Sequence, residues 1–358
     1  MSKKQFIKGI IFVSGFLLIL QTVTYIIRTN GDVKDRFTGF YAEKQDTIDA
    51  MIIGSSPVYP CYAAPEIWGE YGIACYTLSS NRQRPKAMLG LVKEVEKTQD
   101  PSLYIFEVKQ FTATEEFMTE NMAFTRGITD NMKYSVNRIE MINDLVSNAG
   151  DRYSYYFDIF KYHSNWKTIV LPSQLACYQY EKSDSLKGFL FQVGVVPSTS
   201  IDFSSVTEKA PIPKENEETL YQLLNYLKDQ NLQALFIVTP YAMKDAKNQM
   251  NYNYMKEIIN SYGYDFLNMN NYKAQVKVDF KTDFYDEGIH TNAIGAEKYT
   301  KYLGKYISSH YEFKDKRGNK NYNSWDDAYK VWSEQMKKDK LVIEERIQKG
   351  EYGEVGTD

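Results

Sequence analysis

Short apolar runs alternate with amphipathic stretches through most of this chain. Asp49 to Ile53, Ala74 to Leu78, Leu103 to Val108, Ala234 to Pro240 and Tyr264 to Leu267 read as strands. Between them, Ala63 to Tyr71, Lys86 to Thr98, Glu215 to Gln230, Tyr252 to Tyr262 and Ala293 to Ser309 read as helices. Leu220, Leu223, Leu224 and Leu227, for example, recur at helical spacing on one face. Continuous apolar strands separated by helices predict an α/β fold, a parallel sheet sandwiched by helices. The site of such a sheet lies at the carboxyl ends of its strands. Gly54-Ser55-Ser56 and Thr239-Pro240-Tyr241 fall there.

Three stretches break the rhythm. Residues 112–205 are mostly helical and aromatic in pattern, as in Tyr153 to Trp166, and read as an insertion that caps or walls the site. Residues 311–358 turn polar, with a charged amphipathic helix over Trp325 to Arg346. At the other end, Gly9 to Ile27 carries no charge, and at ~1.5 Å per residue it nearly spans a ~30 Å hydrocarbon core. The polar Arg28-Thr29-Asn30-Gly31-Asp32 that follows is unlike a signal-peptidase site, so residues 1–28 read as an uncleaved signal anchor. Lys3, Lys4 and Lys8 before the span nearly balance Arg28, Lys34 and Arg36 after it. The shortness of the leading tail favours a cytoplasmic N-terminus and a domain outside the cell membrane. Residues 29–46 then read as a tether, and 47–310 as the α/β domain.

Composition narrows the function classes. A net charge of -3 and a pI of about 5.8 offer no basic surface for nucleic acid. The 30 tyrosines suit a sugar-binding cleft as well as ordinary core packing. Cys61, Cys75 and Cys177 form neither a disulfide framework nor a zinc site, although Cys61 and Cys75 are near enough in sequence to bridge. No cofactor is implied, and metal-dependent hydrolysis lacks a second histidine at ligand spacing.

The chemistry concentrates in two distant segments. Ser56, on a turn after the first strand, is the candidate nucleophile, and needs a base to take its proton as it attacks. His290, in Asp283-Phe284-Tyr285-Asp286-Glu287-Gly288-Ile289-His290, is the candidate base. A carboxylate just upstream would accept from its Nδ1–H and fix the tautomer. Asp286 and Glu287 both stand near enough, with Asp283 a third contributor. His163, in Tyr162-His163-Ser164-Asn165-Trp166, is a candidate for positioning substrate, and His310 reads as a surface residue at a helix end.

A serine after the first core strand and an acid–histidine pair before the last helix resemble the SGNH (GDSL-like) hydrolase superfamily over roughly residues 46 to 310. The resemblance implies a flavodoxin-like parallel sheet. In the family's Gly-Asp-Ser block Ser55 replaces the aspartate, and Ser56 aligns with the nucleophile. In its Asp-x-x-His block, counting back three from His290 reaches Glu287; Asp286 fits if Gly288 forms a one-residue bulge. The second block, Leu78 to Pro85, lacks the family's glycine, and Glu107-Val108-Lys109-Gln110 lacks the asparagine of the third. Asn81, Gln83 or backbone N–H groups would then face the oxyanion, with Ser55 and Tyr241 beside the substrate. The Gly-Ser-Ser form behind one anchor looks like the branch that includes the teichoic-acid D-alanylation protein DltD and alginate O-acetylation proteins. That resemblance implies transfer or removal of an acetyl or D-alanyl ester on an envelope polysaccharide or teichoic-acid-like glycan, alongside a membrane-bound O-acyltransferase. The alternative is a non-catalytic accessory protein that holds glycan or docks such an acyltransferase.

Overall fold

The computed structural model describes residues 2–353 apart from 30, 173 and 176–183. Helix α1 (Lys3–Ile27) is long and apolar enough to cross a membrane. Ser2 and Gln5 cap its start reciprocally, each side chain bonding the other's backbone N–H. Helix α2 (Asp32–Ala42), strand β1 (Ala50–Gly54), α3 (Ala64–Tyr71), β2 (Cys75–Ser79), α4 (Ala87–Val95) and β3 (Leu103–Glu107) follow. The insertion contributes α5 (Glu115–Thr119), α6 (Ala123–Thr129), α7 (Val136–Leu145) and α8 (Ala149–Tyr156). The core resumes with α9 (Lys214–Asp229), β4 (Ala234–Val238), α10 (Ala246–Ser261), β5 (Asp265–Asn268) and α11 (Ala293–His310), and α12 (Asn323–Lys349) closes the chain.

The five strands form one parallel sheet in the order β2-β1-β3-β4-β5. Each strand is too apolar for one wet face, because side chains alternate into two separate layers. Met51, Ile53, Tyr104, Phe106, Phe236 and Val238 pack in one layer beneath α2, α4, α9 and α10. Ala50, Ile52, Ile105, Leu235 and Ile237 pack in the other against α3 and α11. The order reverses direction between β1 and β3, the crevice where doubly wound sheets bind ligands.

Three expected boundaries change. Residues 29–46 are no tether: Phe37 and Phe40 of α2 are fully buried, and Arg36 Nε donates to Ser79 O at the end of β2 (2.9 Å). Residues 112–205 are not one helical body. From 184 onward they run as a non-helical strap in which Thr77 N–H of edge strand β2 donates to Lys187 O (3.0 Å) and Val196 N–H to Phe284 O (2.9 Å). Helix α12 forms as expected over Trp325 to Arg346, but it is docked on the domain rather than a separate polar extension. Trp325 is fully buried, and Asp326 accepts from Trp68 Nε1 on α3 (2.9 Å). For α2 and α12 tertiary burial of aromatic side chains decides, which local polarity does not show. Cys61 and Cys75 are free, buried thiols rather than a bridge, and Cys177 lies outside the described residues.

Candidate active site

The serine arm begins at Gly54, the last residue of β1. A Cβ there would lie 2.6 Å from Glu107 Cβ and 2.6 Å from Val58 Cγ2, so close approach of β3 and the next turn requires the glycine. Ser55 is buried, and its Oγ accepts from Gln83 N (3.1 Å) and Gln110 Nε2 (3.2 Å). One hydroxyl thereby ties together the loops that follow β1, β2 and β3. Val58 N–H donates back to Ser55 O (3.0 Å), closing the turn with Ser56 left partly exposed at its corner.

The histidine arm is a tight loop. Phe284 and Thr291 form an antiparallel bridge, and Tyr285 N–H donates to His290 O (3.1 Å). Inside it Asp286 Oδ1 accepts from both Ile289 N (2.8 Å) and His290 N (2.9 Å). Gly288 adopts φ +88°, a left-handed conformation that lets the loop hold one extra residue, and its carbonyl accepts from Ala242 N after β4 (2.7 Å). Asn292 caps α11 with Oδ1 while its Nδ2 donates to Gly194 O and Thr282 O. The arms are joined directly: Thr291 Oγ1 donates to Pro60 O (2.8 Å) and Thr300 Oγ1 of α11 to Cys61 O (3.0 Å).

Ser56, His290 and Asp286 come together in one line. His290 Nε2 lies 2.8 Å from Ser56 Oγ, and Nδ1 lies 2.5 Å from Asp286 Oδ2. With Nδ1–H donating to the carboxylate, Nε2 presents a lone pair to the serine hydroxyl. Tyr285 stacks on the imidazole at 5.7 Å between centroids. Burial raises the Asp286 carboxyl, but the bonds and charge from His290 and the two backbone N–H groups outweigh it and hold the carboxyl below its ordinary value. The carboxylate paired with His290 is therefore Asp286. Glu287 is exposed, and Asp283 is buried in structural work, accepting from Asp279 N, Lys298 Nζ (2.6 Å) and Tyr299 Oη.

Scans against protein-family models, curated proteins and solved structures each find no match for this chain. The site therefore stands on its own geometry.

The remaining candidates divide. Asn81 is at the rim, its Oδ1 accepting from Tyr59 Oη (2.6 Å), which fixes the orientation of its amide. Gln83 is buried beside Ser55 with its Nε2 unpaired. Ser55 and Tyr241 do not offer their hydroxyls to a substrate: the first is spent on the loops, and Tyr241 Oη pairs with Tyr252 Oη (2.8 Å) inside the core. His163 is not brought to the triad; it is exposed on the insertion, in a turn that bonds the end of α1 through Asn165. His310 closes α11, stacked on Tyr306 at 4.0 Å.

One charged residue that sequence reasoning passed over lies within electrostatic reach of Asp286. Lys109 follows β3, its Nζ 4.1 Å from the Tyr241 ring centroid, and its charge is felt by both Glu107 and Asp286. Burial lowers its affinity for a proton, and those two carboxylates oppose the change. Burial likewise pushes Glu107 up to about 7 against the attraction of Lys109 and two backbone N–H groups. The available signal was a charged pair, Glu107 and Lys109, at the carboxyl end of an apolar strand.

Proposed function

We propose that this chain is a membrane-anchored serine acyltransferase or esterase that acts on O-acyl esters of cell-envelope glycans. The observation that carries the reading is the unbroken Ser56–His290–Asp286 hydrogen-bond line at the switch point of the sheet. Ser56 Oγ attacks the ester carbonyl carbon as its proton passes to His290 Nε2. The tetrahedral oxyanion collapses, the C–O bond to the leaving alcohol breaks, and His290 returns the proton to that oxygen. His290 then deprotonates a glycan hydroxyl, or water, which attacks the acyl-Ser56, and passes that proton to Ser56 Oγ as the acyl–serine bond breaks. Asp286 holds the imidazole tautomer and stabilises the imidazolium. Asn81 Nδ2 and the unpartnered Gln83 Nε2 are the side-chain donors this reading assigns to the oxyanion.

The sheet order, the early serine and the late acid–histidine loop support an SGNH-like, flavodoxin-like architecture. Helix α1 supports a single-pass anchor, and a domain on the extracytoplasmic side of it would meet envelope glycans directly. An acetyl or D-alanyl donor handed over by a membrane-bound O-acyltransferase fits a chain tied to the bilayer. The test is turnover of p-nitrophenyl acetate with mass analysis of the peptide that contains Ser56, with and without an oligosaccharide acceptor. Acetyl-Ser56 that decays faster with acceptor supports transfer. Absence of both turnover and adduct, with full rescue of envelope acylation by Ser56→Ala, would assign the chain the accessory role instead.

A further inference from the structure

The helical insertion carries a surface that the triad does not use. Tyr153, Phe160, Trp166, Val170 and Leu171 are each half or more exposed, Trp166 at 65%. Tyr153 lies 5.1 Å from both Phe157 and Phe160, so the patch is contiguous there. Soluble surfaces rarely keep such an apolar area without something to cover it.

The patch is locked to α1. A helix ends with unsatisfied carbonyls, and here the insertion satisfies them. Asn165 Nδ2 donates to Ile27 O (3.1 Å), and Gln174 Nε2 donates to Ile26 O (2.6 Å) and Arg28 O (2.8 Å). Arg28 Nε donates to Asp158 Oδ2 (2.8 Å) in a fully buried pair. Beside this junction a groove of ≈ 520 Å³ opens between the two elements, mainly apolar, with Leu17 and Leu20 of α1 facing Ile139, Phe157 and Ile159 of the insertion and Gln21, Thr24 and Arg138 also in its wall. Leu17 precedes Ile27 by roughly ten residues, or about 15 Å along the helix. If Gly9 to Ile27 fills a hydrocarbon layer of about 30 Å, the groove lies below the headgroups.

We infer that residues 136–171 form a monotopic platform seated in the bilayer beside α1, with phospholipid acyl chains filling the groove. The inference rests on the reading that α1 spans a membrane. Continuity with the apolar face of α1 selects lipid as the occupant. The side chains at the edge agree: Lys161 and Lys167 are exposed, with Lys167 Nζ 5.9 Å from the Trp166 ring, and tryptophan with snorkelling lysine suits the headgroup region. The platform also sets the height of the site. Arg36 of α2, the first helix after the anchor, lies 4.4 Å from the Tyr59 ring, and Tyr59 bonds Asn81 at the rim of the triad.

Of the four tryptophans, Trp68, Trp325 and Trp332 are buried, so Trp166 reports the platform. The experiment uses the full chain in nanodiscs of phosphatidylcholine brominated near the headgroup end of its acyl chains, with plain lipid as reference. Alkaline carbonate extraction of the same chain from vesicles reports α1 separately. The expected result is resistance to extraction, with bromine quenching that Trp166→Phe abolishes and Phe160→Asp/Val170→Asp reduces by at least half. The double variant should still react with a serine-directed phosphonate as wild type does, which shows that the domain is folded. Resistance to extraction with Trp166 unquenched and emitting as in water overturns the platform and leaves a protein partner to cover the patch. Extraction by carbonate overturns the span itself, and the inference with it.

Discussion

The two arms of the triad are built in opposite ways. The serine arm is positioned by distant parts of the chain: Gly54 is wedged against Glu107, and Ser55 is held from the loops after β2 and β3. The histidine arm is largely self-made, since Asp286 orients His290 through ring and backbone bonds within one short loop. Ser56 thus inherits the rigidity of the sheet, whereas His290 depends on a local hydrogen-bond set and one left-handed glycine. Damage to the first arm should cost stability and activity together. Damage to the second should cost activity mainly.

The largest expected effect is on chemistry alone. Ser56→Ala or His290→Ala should lower turnover of an activated ester by about 10⁴-fold or more with little change in Tm. Asp286→Asn should lower it by about 10²- to 10⁴-fold, because an amide favours the wrong tautomer; kcat from steady-state kinetics checks both. Gly54→Ala and Gly288→Ala then separate the arms. Gly54→Ala overpacks the core and should cost about 1–3 kcal/mol in denaturant unfolding as well as activity. At Gly288 a Cβ would meet Ala242 Cβ and Ser198 Oγ at 2.5 Å each, with φ unfavourable besides. The loop can shift, so activity should fall at least tenfold with the smaller loss of stability. If Gly288→Ala unfolds the domain as readily as Gly54→Ala, the contrast between the arms is wrong.

Glu107, beneath the serine arm, gives a pH test. Folded, it keeps its proton up to about pH 7; unfolded, it releases it near 4.5. Between those values the folded state binds more protons, so stability falls as pH rises through that window and levels off above it. Glu107→Gln should remove this fall, on the order of 3 kcal/mol at pH 8. Thermal melts from pH 4.5 to 8 would show the two proteins diverging as pH rises. The smallest effect should come from Glu287→Gln, less than twofold in kcat/KM, because Glu287 is exposed and Asp286 holds the ring.

Legibility followed the same division. Each strand was readable to within a residue or two, because buried parallel strands are nearly continuous apolar runs, as in Leu103 to Phe106. The serine turn and the late histidine were visible for the same reason, since they punctuate those runs. The acid stood one residue off the expected spacing, and only the left-handed Gly288 shows how the loop absorbs it. The docking of α2, the strap from 184 and the burial of Trp325 were hidden in polar sequence, because each depends on a surface supplied by another part of the chain. His163 shares its aromatic surroundings with a binding cleft, but those aromatics face the neighbourhood of α1.

The central claim is that Ser56 is a nucleophile activated through His290. Intact-mass spectrometry after brief exposure to a fluorophosphonate measures this most directly. The account predicts one adduct, mapped to Ser56, that disappears in Ser56→Ala and forms at least 100-fold more slowly in His290→Ala. Equal labelling of wild type and Ser56→Ala, or no adduct on the folded wild-type chain, would contradict it.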